Sequence, residues 1–220
     1  MIKYLFWDLD GTLTESGEGI VKSVQYALEK IGKPEKNIEK LKVFIGPPLL
    51  EQFMHFAGID RETAEIAVKY YRERYSVKGI YENRPYPGIP ELLGELKEKG
   101  FNNVIASSKP EYYVNRIIDH YDLKKYFSEV AGATMDGRRT EKADVIEEAL
   151  KRTGIGDKRE QAIMIGDREH DIFGARQAGI DCIAVAYGYG TIEELDRAEP
   201  LEIAGSVLEL KSIIMKAGGM

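Results

Sequence analysis

A chain of 220 residues, 43% apolar and 31% charged, has the balance of an ordinary soluble globular protein and can bury one large core, or a core with a smaller accessory domain. Its formal net charge of −6 comes from well-mixed acidic and basic residues, which argues against a nucleic-acid backbone as partner, and no apolar run is long enough to span a bilayer. The one cysteine, Cys182, excludes an internal disulfide and lies in an apolar run, so a buried thiol is expected. The amino terminus turns acidic at Asp8, too early for a signal peptide, so a cytoplasmic protein is expected.

The first predicted element is a buried strand over Tyr4 to Trp7, ended by the polar turn that starts at Asp8 and contains Gly11. From Gly17 to about Arg84 only helical patterns follow. One helix carries Ile20, Val21, Val24, Ala27, Leu28 and Ile31; a second carries Leu50, Phe53, Met54 and Ala57 and ends at Gly58. A third, capped by Asp60, carries Ile66, Ala67, Tyr70, Tyr71 and Tyr75, a face expected to pack against the other two. Turn-forming residues at Glu15 to Gly17 and Arg84 to Gly88 mark hinges, so residues 17–84 are predicted to form an inserted helical domain and residues 1–16 with 85–220 the core.

Beyond Gly88, strands and helices alternate. Pro90 opens a helix carrying Leu92, Leu93 and Leu96; a strand covers Val104 to Ser107; Tyr113, Ile117, Ile118 and Tyr121 mark the next helix. A weaker strand is expected over Glu129 to Ala131, then a helix capped by Thr140 with Val145, Ile146, Ala149 and Leu150 inward. Strands over Ala162 to Ile165 and Cys182 to Ala186 follow. Thr191 with Glu194 and Ser206 with Glu209 read as capping boxes opening the last two helices. This alternation implies an α/β fold with a mostly parallel sheet covered by helices on both faces.

Four polar sites fall at or just beyond the carboxyl ends of these strands, where open parallel sheets collect ligands. In Asp8-Leu9-Asp10-Gly11-Thr12 two carboxylates at alternate positions face one side, and a hard divalent cation, Mg2+, is the natural relief of their repulsion. By itself the motif also suits a solvated turn or helix cap. Ser107, followed by Ser108 and Lys109, offers a hydroxyl and backbone N–H groups to phosphate oxygens, though a capping serine reads the same way. Lys142, in a first helical turn, gains from a nearby anion or is merely solvated. The fourth site is Gly166-Asp167-Arg168-Glu169-His170-Asp171, where Asp167 leaves a buried strand and Asp171 follows four residues later on a helix. His55, His120 and His170 are expected on the surface or in packing.

An aspartate pair, a hydroxyl, a lysine and a second aspartate pair, in that order, resemble the haloacid dehalogenase superfamily across nearly the whole chain. Phe44-Ile45-Gly46-Pro47-Pro48, Ala106-Ser107-Ser108-Lys109-Pro110 and Gly166-Asp167-Arg168-Glu169-His170-Asp171-Ile172 are similar to its phosphoglycolate-phosphatase-like members, which carry a helical cap. The resemblance implies a Rossmann-like core and a Mg2+-dependent phosphatase. Asp8 becomes the nucleophile and Asp10 the general acid and base, assisted by Ser107 and Lys142. Asp8, Asp10 through its carbonyl, Asp167 and Asp171 become the metal site, and Leu9, Ser108 and Lys109 contact the substrate. The presence of Asp10 favours phosphate esters over the carbon–phosphorus and carbon–halogen bonds cleaved by relatives that lack this acid.

The expected partner is a small phosphorylated metabolite, with 2-phosphoglycolate the first candidate and nucleoside 5'-monophosphates next; a phosphosugar mutase is a third enzymatic reading. Residues around Ile45 to Leu50 and the tyrosine-rich helix are expected to set specificity. From another class, a receiver-like phosphoacceptor module shares the residue types, but it places its acidic pair and acceptor in a different order and lacks an insert. The expected assembly is a monomer or homodimer.

Overall fold

In the computed structural model, which describes residues 1–219, the chain begins with β1 (Tyr4–Trp7), an apolar run whose side chains are all buried but the first. It then leaves the core at β2 (Thr14–Glu15) and returns at β3 (Arg84–Pro85), two short strands that pair with each other. Two units result, one of Met1–Thr14 with Pro85–Met220 and one of Glu15–Arg84.

The second unit contains α1 (Gly17–Lys30), a 3-10 segment (Ile38–Phe44), α2 (Leu49–Ala57) and α3 (Arg61–Tyr75). Gly58 ends α2 in the left-handed conformation, and Asp60 caps α3 by accepting from the N–H of Thr63 at 2.8 Å. On α3 the expected Ala67, Tyr71 and Tyr75 are buried, joined by Ala64, whereas Tyr70 is half-buried and Ile66 is 42% exposed. The buried set follows the three-and-four spacing of a single helix face, which Ile66 breaks. Tyr71 and Tyr75 stack with ring centres 5.2 Å apart.

In the first unit, α4 (Ile89–Glu98), β4 (Asn102–Pro110), α5 (Glu111–His120), β5 (Phe127–Ala133), α6 (Lys142–Thr153), β6 (Ala162–Gly166), α7 (Glu169–Gln177), β7 (Asp181–Val185), α8 (Ile192–Ala198), β8 (Glu202–Ala204) and α9 (Val207–Ala217) follow. The strands form one sheet in the order β5-β4-β1-β6-β7-β8, with every pairing parallel. β8 escapes the sequence pattern because it is a three-residue edge strand with one fully buried side chain. α6 starts one residue later than a Thr140 cap implies: Glu141 is the capping position and makes no side-chain cap bond.

Strand alternation sends Phe6, Val104, Ala106, Met164, Cys182 and Ala184 to one side, where they pack with Val145, Ile146, Ala149 and Leu150 of α6 and Ile172 and Ala175 of α7. The Cys182 thiol is buried there, and burial pushes its pKa up. The intervening residues Leu5, Trp7, Ile105, Ile163 and Ile183 are equally inaccessible; α4 and α5 lie against β4, α5 also against β5, and α9 against β8 and α4. Among the described residues no helix is long and apolar enough to cross a membrane.

One polar residue pins the centre of this sheet. Asn103, 1% exposed, accepts from the Trp7 indole at 3.0 Å and donates to the Leu93 carbonyl at 3.3 Å, tying β1, β4 and α4 together. Asn103→Ala leaves the buried Trp7 indole N–H without a partner, and is expected to lower the unfolding free energy by ~1–3 kcal/mol in urea denaturation, whereas an exposed asparagine-to-alanine change costs well under 1 kcal/mol.

Candidate active site

The sheet reverses its winding at β1: the chain proceeds through β4 to β5 on one side and through β6, β7 and β8 on the other. Three strands therefore end side by side. Trp7 is in register with Ile105 and Ile165, so Asp8, the end of β4 and the Gly166-Asp167 turn share one edge, the switch point of an open parallel sheet.

Beyond β1 the chain winds around the Leu9 carbonyl, which accepts from the N–H groups of Leu13 at 3.0 Å and Thr14 at 2.9 Å. Leu9 itself is buried, and the winding carries Gly11 against Asp167 with φ +88. A Cβ on Gly11 would lie 2.1 Å from Asp167 Oδ2, so this approach needs glycine on grounds of both space and conformation.

The edge brings Asp8, Asp167 and Asp171 together, with a carboxylate oxygen of each within 4.8 Å of the others, all three buried. Lys142 enters this cluster from the first turn of α6. Its Nζ lies 2.6 Å from Asp8 Oδ1 and 2.7 Å from Asp171 Oδ1 and donates to the Ala106 carbonyl at 3.1 Å. Asp171 Oδ2 accepts from the N–H groups of Asp167 and Arg168, both at 3.1 Å, which fixes the turn into α7. Asp10 pairs with Lys109 at 2.6 Å. Ser107, buried next to Ala106, accepts from the N–H of Lys109 at 3.3 Å, and Ser108 is half-buried between them. All nine residues expected at the site thus lie on this edge. His55, His120 and His170 are exposed.

Several residues of the site carried little signal in the sequence. Thr12 Oγ1 donates to Asp167 Oδ1 at 3.3 Å, and the N–H of Tyr189 donates to Oδ2 at 2.7 Å. Gly188 and Gly190 pass so close to Asp167 that a Cβ on either would fall within 2.5 Å of it. The glycine-rich run directly after β7, on the shared edge, was the available clue. Glu194 does not complete a capping box at Thr191. Thr191 accepts from the Glu194 N–H at 3.1 Å, but the Glu194 carboxylate accepts from Arg168 Nε at 2.7 Å and from the N–H of Glu169 at 3.0 Å. Ser206 and Glu209 behave alike, with Glu209 accepting from Gly205 instead.

The electrostatics follow from crowding. Burial, reinforced by Asp171 and Asp10 and only partly offset by Lys142, pushes Asp8 up to about 6. Burial and then the charges of Asp171 and Asp8 push Asp167 well above the carboxylate range. Burial works against the ammonium of Lys142, but Asp171 and Asp8 outweigh it and hold its pKa above the usual lysine range. With all four carboxylates ionised, four aspartates face two lysines, 4 − 2 = 2, and two negative charges would go uncompensated. Oxygen donors, a double negative excess and mutual repulsion are what a hard divalent cation relieves, so this cluster can hold one.

The sequence matches the family model of the haloacid dehalogenase-like hydrolases from residue 5 to residue 185. A 5'-nucleotidase of Pseudomonas aeruginosa is 41% identical over 210 residues, covering 96% of this chain and 94% of that protein. A tyrosine-protein kinase of Mycobacterium tuberculosis, PtkA, is 36% identical over 96% of this chain and 72% of its own. A phosphoglycolate phosphatase of Pseudomonas savastanoi is 27% identical over 94% and 78%. The crystal structure of a predicted phosphatase from Clostridium acetobutylicum superposes with a TM-score of 0.95 at 43% identity, covering 98% of this chain and 99% of that one. The chain belongs to the haloacid dehalogenase-like hydrolases and is a phosphoric monoester hydrolase of that family.

The raised proton affinity of Asp167 gives a test of the crowding. A carboxyl whose folded pKa exceeds its unfolded one binds more protons folded, so ionising it costs stability above the unfolded value near pH 4, and none below. Asp167→Asn is therefore expected to stabilise the metal-free protein at pH 7 by ~1 kcal/mol or more, the difference shrinking as pH falls toward about 4. Thermal unfolding in chelator across pH reads both.

Proposed function

We propose that the protein is a Mg2+-dependent phosphatase that hydrolyses a small phosphomonoester through a phospho-aspartate on Asp8. The observation that carries this reading is the placement of the Asp8 carboxylate at the end of the central strand, against the Lys142 ammonium and facing Asp167 and Asp171.

In the first half of the reaction an Asp8 oxygen bonds to phosphorus, and the ester bond breaks with its electron pair going to the leaving oxygen, which takes a proton from Asp10. In the second half water attacks phosphorus, Asp10 accepts a proton, and Asp8 departs as a carboxylate. Lys142 and the Ser107 hydroxyl offset the charge of the phosphoryl group, and the N–H groups near Leu9, Asp10 and Ser108 complete the cradle. Asp8, Asp167 and the Asp10 carbonyl would hold Mg2+. Asp171, whose oxygens already serve Lys142 and two N–H groups, would border the ion and orient its neighbours. When bound, Mg2+ would supply positive charge that offsets the repulsion between an anionic nucleophile and an anionic phosphoryl group.

Nucleoside 5'-monophosphates stand first among substrates and 2-phosphoglycolate second, because the 5'-nucleotidase relative is 41% identical to the chain and the phosphoglycolate phosphatase 27%. The kinase name borne by a relative at 36% identity is a reminder that a shared scaffold does not fix the phosphoryl acceptor. A cytoplasmic setting accords with such substrates.

A panel of phosphorylated metabolites, incubated with purified protein and Mg2+, tests reaction and substrate together. Release of phosphate from nucleoside 5'-monophosphates with the highest kcat/KM is the expected result, and preference for 2-phosphoglycolate reverses the order. Asp8→Asn is expected to leave the fold intact by circular dichroism and to lower kcat by about three orders of magnitude or more. Chelation with EDTA is expected to stop turnover and added Mg2+ to restore it; hydrolysis that survives chelation would remove the metal from the scheme.

A further inference from the structure

From the sequence Lys109 is a substrate contact, yet its ammonium lies 2.6 Å from Asp10 Oδ2. Both side chains are withdrawn from solvent, 6% exposed for the lysine and 12% for the aspartate. The lysine comes from a stiff setting. It is the next-to-last residue of β4, its N–H is bonded to Ser107 Oγ, and Pro110 after it fixes the entry to α5.

The two oxygens of Asp10 have different surroundings. Oδ2 is clamped by Lys109, whereas Oδ1 is buried without a hydrogen-bond partner. A buried carboxylate oxygen left unpaired carries a desolvation cost, which a group meeting it during the reaction would offset. The two buried lysines also divide their work: Lys142 serves Asp8 and Asp171, and Lys109 serves Asp10.

We propose that Lys109 is a positioning residue for Asp10, holding Oδ2 so that Oδ1 meets the water that hydrolyses the phospho-aspartate. The proposal rests on the roles given above to Asp8 and Asp10. In that step the water oxygen bonds to phosphorus and one water proton passes to Asp10 Oδ1. The bond between phosphorus and the Asp8 oxygen breaks, its electron pair returns to the Asp8 carboxylate, and inorganic phosphate leaves. The proton on Asp10 goes to the leaving oxygen of the next ester.

The two halves can be separated with p-nitrophenyl phosphate, whose leaving group departs without a proton. Formation of the phospho-aspartate then does not call on Asp10, and its hydrolysis does. With Lys109→Met, rapid mixing is expected to show a burst of about one nitrophenolate per active site, followed by a steady rate tenfold or more below wild type, with KM lowered by about the same factor and kcat/KM within about twofold. Lys109→Arg, which keeps a cation on Oδ2, is expected to recover most of the steady rate and lose the burst. Lys109→Gln, which keeps a donor on a shorter stem, serves if the methionine variant fails to fold, and is expected to show the same burst.

A raised KM without a burst would make Lys109 a substrate contact and overturn the proposal. So would a fall in the steady rate, in a folded variant, with neither a burst nor a change in KM, since that is a purely structural effect. Asp10→Asn separates the failure of this inference from that of its premise. If Asp10→Asn gives the burst and the lysine variants do not, Lys109 is not its positioner; if Asp8→Asn still turns over, the phospho-aspartate itself is gone.

Discussion

A buried ammonium shared by two buried carboxylates organises the site. Lys142, 2.6 Å from Asp8 and 2.7 Å from Asp171, joins the end of β1, the start of α6 and the start of α7. Burying three such charges is tolerable only because each is paired and hydrogen-bonded: Asp171 takes two backbone N–H groups, and Lys142 gives a third bond to the Ala106 carbonyl. The strands and helices that meet there are consequently fixed to one another by the groups proposed to face the reacting phosphorus. Even so the balance is incomplete. Among the described residues Asp167 has a hydroxyl and a backbone N–H but no cation at contact distance, which is why its ionised form leaves the cluster with the excess negative charge that a divalent ion would meet.

The parallel sheet makes this possible with little chain. Because β1 has neighbours on both sides and all strands run the same way, residues far apart in sequence end at one edge. Asp8 and Lys142 are separated by 134 positions and still touch. No loop needs to be long to bring them together; the helices between strands cover the distance while burying the two apolar faces of the sheet.

Much of this was legible in the sequence because it rests on local pattern. The apolar runs that become β1, β6 and β7, each ended by Asp or Gly, gave the strands, and the three-and-four spacing in α4, α5 and α6 gave the helices. Asp8 and Asp167 were visible because charge directly after a buried strand has no packing explanation, and Lys142 because a lysine in a first helical turn gains from a nearby anion. What the sequence hid depends on tertiary contact. The three-residue β8 borrows its identity from β7, the burial of Ala64 and exposure of Ile66 are decided by which neighbours α3 meets, and the Lys109–Asp10 pair depends on strand register. The Glu194 case is the clearest. Its spacing from Thr191 satisfies a local rule, but its carboxylate finds a guanidinium and an N–H from a neighbouring turn, and the stronger charge-assisted partners win.

That diversion of Glu194 couples two parts of the molecule that differ greatly in intrinsic permanence. α8 is seven residues long, too short to persist by its own backbone bonds, and its first turn grips Arg168 and Glu169 at the root of the loop carrying Asp167. Opening of that small helix is therefore not a private fluctuation of the surface. Loss of α8 would remove two bonds from the turn that carries Asp167, leaving that carboxylate held by its close packing against three glycines.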